Sequence, residues 1–155
     1  MPGSAGQALV DSATDVFQAL ERCAEAAQSV SHGTPRGGDE DTRWPVIDWN
    51  HGTTGYAQHC APSLQERPFW AGALYFPRKV IAEGWAIVAT DYIGLGTQGP
   101  HPYLFGKPSA YASLDAVRAA LHVRPELLRR SRIAMTGYSG GAIATHGAAK
   151  LLGEY

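Results

Sequence analysis

Cysteine is scarce in this chain: Cys23 and Cys60 are the only two in 155 residues, too few for a disulfide scaffold. Long apolar runs are missing too. No stretch of 18 apolar residues occurs, so no segment reads as a membrane-spanning helix. There is no block of basic residues. The 13 basic side chains stand against 14 acidic ones, a formal net charge of −1, which removes the electrostatic footprint of a nucleic-acid binder. His51, His59 and Cys60 lie close together, but no pair has the spacing of a closed zinc site, so neither a metal nor another cofactor is expected. Met1 to Gln7 carries neither a basic segment nor an apolar signal core, so as written the chain is expected to stay in the cytoplasm. The length supports one domain at most, and 45% hydrophobic content fits a globular α/β fold.

What is present is an alternation of elements. Residues 11–30 read as an amphipathic helix, with Ser12 and Asp15 as a capping box and Val16, Leu20, Cys23 and Ala27 at helical spacing. Residues 31–43, with Gly33, Pro35, Gly37, Gly38 and the acidic run from Asp39 to Asp41, read as a polar linker. Trp44 to Trp49 then reads as a strand. A short helix follows over Pro77 to Glu83, with proline just inside its start and Gly84 just past its end. The strand Trp85 to Thr90, a helix from Ser109 to Val123 with Leu114, Val117 and Leu121 on one face, and the strand Arg132 to Thr136 complete the series. Apolar strands separated by helices predict a mostly parallel sheet flanked by helices. Three such strands leave exposed edges.

The chemistry concentrates in Gly137-Tyr138-Ser139-Gly140-Gly141, directly after the last strand. This G-x-S-x-G pattern reads as a nucleophile elbow: the serine sits on a tight turn between strand and helix, with small residues two before and two after it. Ser139 is the candidate nucleophile, and the amide of Gly140, at the start of the following helix, would face the oxygen of an attacked carbonyl. Upstream, the strand from Trp44 runs into Asn50-His51-Gly52-Thr53. A loop opened by His-Gly after an earlier strand is where such hydrolases take a second oxyanion donor, so the backbone amide of Thr53 is the candidate and His51 and Gly52 support it. Asp91 and Tyr92 end the Trp85 strand on the edge where α/β sheets hold ligands. With Tyr138 they are candidates for the substrate pocket, although an aspartate there commonly fastens a loop. A rival pattern, Gly94-Leu95-Gly96-Thr97-Gln98-Gly99, matches a dinucleotide loop after a strand. Pro100 and Pro102 follow at once and would break the helix that such a loop requires, so the segment is expected to shape the pocket rim instead.

The run from about Trp44 to Leu152 resembles the secretory lipase family of α/β-hydrolases. The resemblance rests on His51 to Gly55, Cys60 to Ser63, Gly84 to Gly96, His101-Pro102-Tyr103 and Gly137 to Gly141. It implies that residues 44–155 are the N-terminal part of an α/β-hydrolase domain, truncated after the elbow helix and lacking the C-terminal strands and lid. It implies hydrolysis of carboxylic esters or acylglycerols, with Ser139 as nucleophile, Thr53 and Gly140 in the oxyanion hole, and secretion if the true start lies elsewhere. It also implies that Cys60 pairs with a downstream cysteine, which this chain lacks; Cys23 is a possible substitute or a small buried apolar residue. A non-catalytic remnant that acts as a binding or decoy module is the alternative.

Sixteen residues follow Ser139, and they hold one carboxylate and one histidine, Glu154 and His146. In this fold the triad runs serine, acid, histidine along the chain. His146 is seven residues on, roughly 10 Å along a helix that leads away from the site. It cannot reach the hydroxyl, and without a base the serine keeps the weak nucleophilicity of an alcohol. The purified 155-residue chain is therefore expected to show no appreciable ester turnover. A spectrophotometric assay with an activated ester checks this, and robust hydrolysis abolished by Ser139→Ala would contradict it.

Overall fold

The computed structural model describes residues 43–66 and 77–154. The helix expected at 11–30, and the linker but for Arg43, lie outside the described residues, as does Cys23. Strand β1 spans Trp44–Asn50, helix α1 Pro77–Ala82 and strand β2 Ala86–Val88. Helix α2 spans Gly106–Val123, strand β3 Leu128–Gly137 and helix α3 Gly140–Leu151. Two short 3-10 turns, Gln58–Cys60 and Pro62–Leu64, lie in the loop after β1.

The strands form one parallel sheet in the order β2-β1-β3, as the alternating pattern predicts. β1 is central. Val46 pairs with Ala86 on one side and with Ile133 on the other, and Asn50 pairs with Gly137 at the top. Because side chains alternate along a strand, Val46, Asp48 and Asn50 face α2 and α3. Ile47 points the other way, into a space it shares with Val80 of α1 and with Trp85. Helices therefore cover both faces, and the sheet is a partial α/β fold.

Three elements differ clearly from expectation. Strand β2 covers Ala86–Val88 rather than Trp85 to Thr90, so Asp91 and Tyr92 lie in the loop after it. Helix α2 begins at Gly106, three residues before Ser109, and Pro108 falls in its first turn, where a missing N–H leaves no intrahelical bond unmade. Strand β3 begins at Leu128 rather than Arg132. The amide of Trp44 donates to the carbonyl of Leu127 at 2.8 Å, and Leu128 is drawn into the core. Between the pairs Trp44–Leu128 and Val46–Ile133, two steps along β1 correspond to five along β3, so the run Arg129 to Arg132 bulges out of register. Arg130 to Ala134 and Thr136 are exposed. Among the described residues β3 has β1 as its one neighbour, which leaves its outer edge open, with the Arg132 guanidinium 5.0 Å from the centre of the Trp85 ring.

The core lies between the sheet and α2. Ala116, Val117, Ala120 and Leu121 of α2 pack on Val46, Val88 and Leu128, and the alanines let the helix approach closely. A second cluster, Ala110, Leu114, Ala148 and Leu151, joins α2 to α3. This locks the helix that follows the elbow to the helix that covers β1. Leu128 is 2% exposed, so Leu128→Ala is expected to lower stability by about 2–5 kcal/mol through lost burial and a residual cavity. Leu64→Ala, at a side chain 59% exposed, should stay within about 0.5 kcal/mol. Urea unfolding midpoints of the two variants make the comparison.

Candidate active site

The turn between β3 and α3 places Ser139 at φ 53° and ψ −117°, a left-handed conformation that a residue with a Cβ adopts only under strain. The turn is held by its surroundings. The amide of Gly141 donates to Tyr138 O at 2.9 Å, that of Ala142 to Ser139 O at 3.0 Å, and that of Tyr138 to Asn50 O at 3.3 Å. The flanking glycines are required by close approach. A Cβ at Gly137 would lie 2.7 Å from Thr145 Oγ1 and nearer still to the Gly141 carbonyl; one at Gly141 would lie 2.5 Å from the carbonyl carbon of Asn50 and 2.7 Å from His51 O. The last residues of β1 thus touch the first turn of α3 backbone to backbone. Ser139 is exposed, and its hydroxyl makes no hydrogen bond among the described residues.

The loop after β1 lies against this turn. A Cβ at Gly52 would sit 3.0 Å from Tyr138 Cδ1 and 3.5 Å from Ser139 Cβ. One at Gly140 would sit 3.2 Å from Thr53 Oγ1 and 3.7 Å from the backbone nitrogen of Thr53. The structure therefore brings Gly52, Thr53, Ser139 and Gly140 together at the C-terminal ends of β1 and β3. There the chain leaves β1 toward β2 on one side and returns to β3 on the other.

His51 is buried and belongs to the loop's support. Its Nδ1 lies 2.6 Å from Gly52 O and its Nε2 3.3 Å from Asp91 O, while its ring stacks on Tyr92 with centroids 4.4 Å apart. Burial pushes its pKa below the ordinary histidine value, partly offset by the two carbonyls. The neutral ring carries one N–H, and the shorter contact assigns it to Nδ1 and Gly52 O. Asp91 fastens the neighbouring loop: its Oδ1 accepts from the amide of Ser63 at 2.9 Å. The exposed Tyr138 and the buried Asp91 do not line the cleft beside Gly140, whereas Tyr92 does.

That cleft, about 20 Å³, holds roughly one water. Its walls include Thr53, Leu95, His101, Phe105 and Ile143. Of the segment Gly94 to Gly99, Leu95 alone reaches it, and the rim is supplied by the exposed run Tyr103, Leu104 and Phe105. Gly94, Gly96 and Gly99 all take positive φ, and the next helix begins at Gly106, seven positions after Gly99, so no helix N-terminus faces that loop. Cys60 is a free thiol packed against Gly55, and His146 is exposed on α3. No group of three or more His, Cys, Asp or Glu side chains fit to hold a metal occurs among the described residues.

Behind the loop lies a polar cluster that the sequence reading missed. Asp48 is fully buried on β1; its Oδ2 accepts from Ser113 Oγ of α2 and, at 3.1 Å, from Asn50 Nδ2. The hydroxyl of Tyr92 donates to His51 O at 3.2 Å and lies 3.4 Å from Asn50 Oδ1. An acidic residue inside Trp44-Pro45-Val46-Ile47-Asp48-Trp49, on a face that must be buried, was the signal available. Burial pushes the Asp48 carboxyl up to about 7, against the lowering effect of its two hydrogen bonds, and burial with the nearby Asp48 charge pushes the Tyr92 hydroxyl up.

These buried groups set opposite pH dependences. Between about pH 4 and 7 the folded chain holds a proton on Asp48 that the unfolded chain has lost, so this contribution is present at low pH and disappears as pH rises through about 7. The difference is on the order of 4 kcal/mol. His51 works the other way, because the unfolded chain gains a proton below the ordinary histidine value of 6.5 before the folded chain does. Asp48→Asn is expected to abolish the loss of stability toward pH 8 while retaining the loss caused by His51 at acid pH. Denaturant midpoints taken from pH 4 to 8 measure both slopes.

Among known proteins, the model of the secretory lipase family matches residues 73–155. A probable inactive lipase of Mycobacterium tuberculosis is 33% identical over 121 residues, 72% of this chain and 26% of that protein. A secreted triacylglycerol lipase of Malassezia globosa is 34% identical over 105 residues, 62% of this chain and 21% of the relative. One of Malassezia furfur is 29% identical over 120 residues, 71% of this chain and 25% of the relative. The chain thus spans about a quarter of the length of the curated relatives it matches. No solved structure matches it.

Proposed function

Because this chain belongs to the secretory lipase family, we propose that its residues form the nucleophile and oxyanion half of a serine carboxylic ester hydrolase acting on acylglycerols or related esters. The observation that carries this reading is the strained turn at Ser139 lying against the loop of Gly52 and Thr53. In the proposed reaction the Ser139 hydroxyl attacks the ester carbonyl. Negative charge then develops on the carbonyl oxygen, and the amides of Thr53 and Gly140 receive it. The alcohol leaves, and water releases the acyl group from the serine. Donors of this kind are worth roughly 10²–10³ in turnover each in comparable sites.

The base that takes the serine proton is assigned to residues outside this set. His51 is buried against two carbonyls, His101 Nδ1 lies 2.9 Å from Ile93 O, and His146 is exposed on α3. The exposed apolar rim of Leu104 and Phe105 beside the cleft suits the acyl chain. The two Malassezia relatives are named as secreted triacylglycerol lipases, and export of the intact protein is part of the proposal. The relative named as a probable inactive lipase supports a second reading, in which the same scaffold binds acyl ligands without turning them over.

The first test is the mass of the native protein in its source cells, detected with an antibody against residues 44–150. A species well above 16.6 kDa that hydrolyses short-chain nitrophenyl esters, and loses at least about 10³-fold in kcat on Ser139→Ala, is the expected result. Full activity in Ser139→Ala would overturn the assignment. Saturable binding of a fatty acid without turnover would favour the second reading.

A further inference from the structure

We propose that Ser113, Asp48, Asn50 and Tyr92 form a buried relay that positions the His51–Thr53 loop, so that Asn50 and Tyr92 act as positioning residues for the amide of Thr53. The proposal rests on the reading of that amide as an oxyanion donor. Asp48, Asn50 and Ser113 are fully buried and Tyr92 is 8% exposed. The relay starts on α2, where Ser113 Oγ donates to Asp48 Oδ2, and crosses β1 through Asn50 Nδ2, which donates to the same oxygen at 3.1 Å. The single proton of the Tyr92 hydroxyl is shared between His51 O at 3.2 Å and the Asn50 side-chain oxygen at 3.4 Å, which joins the relay to the loop. Groups from α2, β1 and the loop after β2 are thus linked in series to one carbonyl, which Tyr92 contacts and which lies next to the residues that face Ser139 and Gly140.

A cluster that served stability alone would be more economical with apolar groups. Asp48 Oδ1 is buried with no hydrogen-bond partner among the described residues, and burying such a group is unfavourable. What the polar chain adds over an apolar core is direction, since each hydrogen bond fixes an orientation that packing alone leaves free. Tyr92 is also held at φ 68°, which aims its side chain back across the end of β1. Its amide donates to Thr90 Oγ1 at 3.2 Å, and its ring stacks on His51, so the hydroxyl has little freedom to leave the carbonyl. The loop itself is held to the elbow by contact rather than by hydrogen bonds to its tip. Among the described residues, the one polar link from Thr53 across the cleft is the 3.5 Å approach of its hydroxyl to Tyr103 Oη. The relay therefore acts with the ring contacts of His51 to fix the loop from behind.

Backbone ¹⁵N relaxation of the 155-residue chain tests this without any need for turnover. Tyr92→Phe removes one hydroxyl and keeps the ring on His51. The order parameters of Gly52, Thr53 and Thr54 are expected to fall from about 0.85 to below about 0.6, with those of residues 46–49 and 112–117 unchanged. Ser113→Ala, at the far end of the relay, is expected to loosen the same three amides, and Ser113→Thr, which restores a hydroxyl, to recover them. A loop that stays rigid in Tyr92→Phe, or loosening spread evenly over the sheet and α2, would overturn the relay. Should Ser113→Ala not fold, Tyr92→Phe and Ser113→Thr decide. Failure of the ester-hydrolase reading would appear as absent turnover in the native protein and would leave these order parameters unmoved, so the two outcomes are separable.

Discussion

The contact on which the rest of this structure depends is the one between the end of β1 and the first turn of α3. Asn50 O and His51 O approach the backbone of Gly141 so closely that no side chain fits between them. That approach seats the start of α3 over β1 and sets the elbow at Ser139 in a left-handed conformation. Such strain persists only where surrounding structure over-determines it. Here the over-determination comes from three sides: the parallel pairing of Asn50 with Gly137, the packing of α3 on α2, and the bond from Tyr138 N to Asn50 O. The same approach carries Gly52 onto Tyr138 and Thr53 onto Gly140. Sheet pairing, helix packing and site geometry are therefore consequences of one steric arrangement.

The polar interior behind β1 gives this arrangement an opposing demand. A sheet strand covered on both faces is expected to be apolar, yet β1 buries Asp48 and Asn50, and the adjoining loop buries His51. Burial favours the neutral form of the first and last of these, by a raised and a lowered pKa respectively. The two contributions change with pH in opposite directions, so below pH 6.5 the stability that His51 regains as pH rises offsets part of what Asp48 loses. Hydrophobic contacts of Val46, Val88 and Leu128 with α2 lie immediately below, so the lower half of β1 supplies cohesion and the upper half supplies orientation.

The parts that were legible in the sequence are those with a periodic or steric signature. The three strands and the helices around them followed from apolar runs and from the helical spacing of Leu114, Val117 and Leu121, and all three helix positions lie buried in α2. The turn at Ser139 followed from its glycines, whose role is the steric one just described. Less legible were the ends of α2 and β3, because Pro108 is compatible with a first helical turn and because Leu127 and Leu128 are recruited by Trp44, a partner more than eighty residues away. The cleft wall was legible only in part. The glycine pattern drew attention to Gly94 to Gly99, whereas the lining comes from Leu95 and from Tyr103 to Phe105, and nothing in a sequence announces Leu104 at φ 62°. The polar cluster joins Asp48 to Ser113, 65 positions away, and Asn50 to Tyr92, 42 positions away, and a pattern that short-range spacing cannot express is visible only once the sheet is folded.

Division of the proposed chemistry follows from where the polar groups of the site are committed. Stabilising an oxyanion needs preorganised amides, and those are backbone groups whose position depends on turns, glycines and the strands beneath them. All of that lies within β1, β3, α3 and the loop between Asn50 and Gly55. Accepting a proton from Ser139 needs instead a side chain with a free lone pair and a pKa near neutrality. His51 fails this test on geometry, since both its ring nitrogens face backbone carbonyls, and on burial, which opposes its charged form. His146 fails on position, because seven residues along α3 carry it away from the turn. The carboxyl of Asp91, whose backbone carbonyl faces His51, is committed to the amide of Ser63. The ring of His51 and the carboxyl of Asp91 are thus committed to backbone and His146 is out of reach, so among the described residues the hydroxyl of Ser139 is presented but unactivated, and these residues make up the binding and charge-stabilising half of the proposed site.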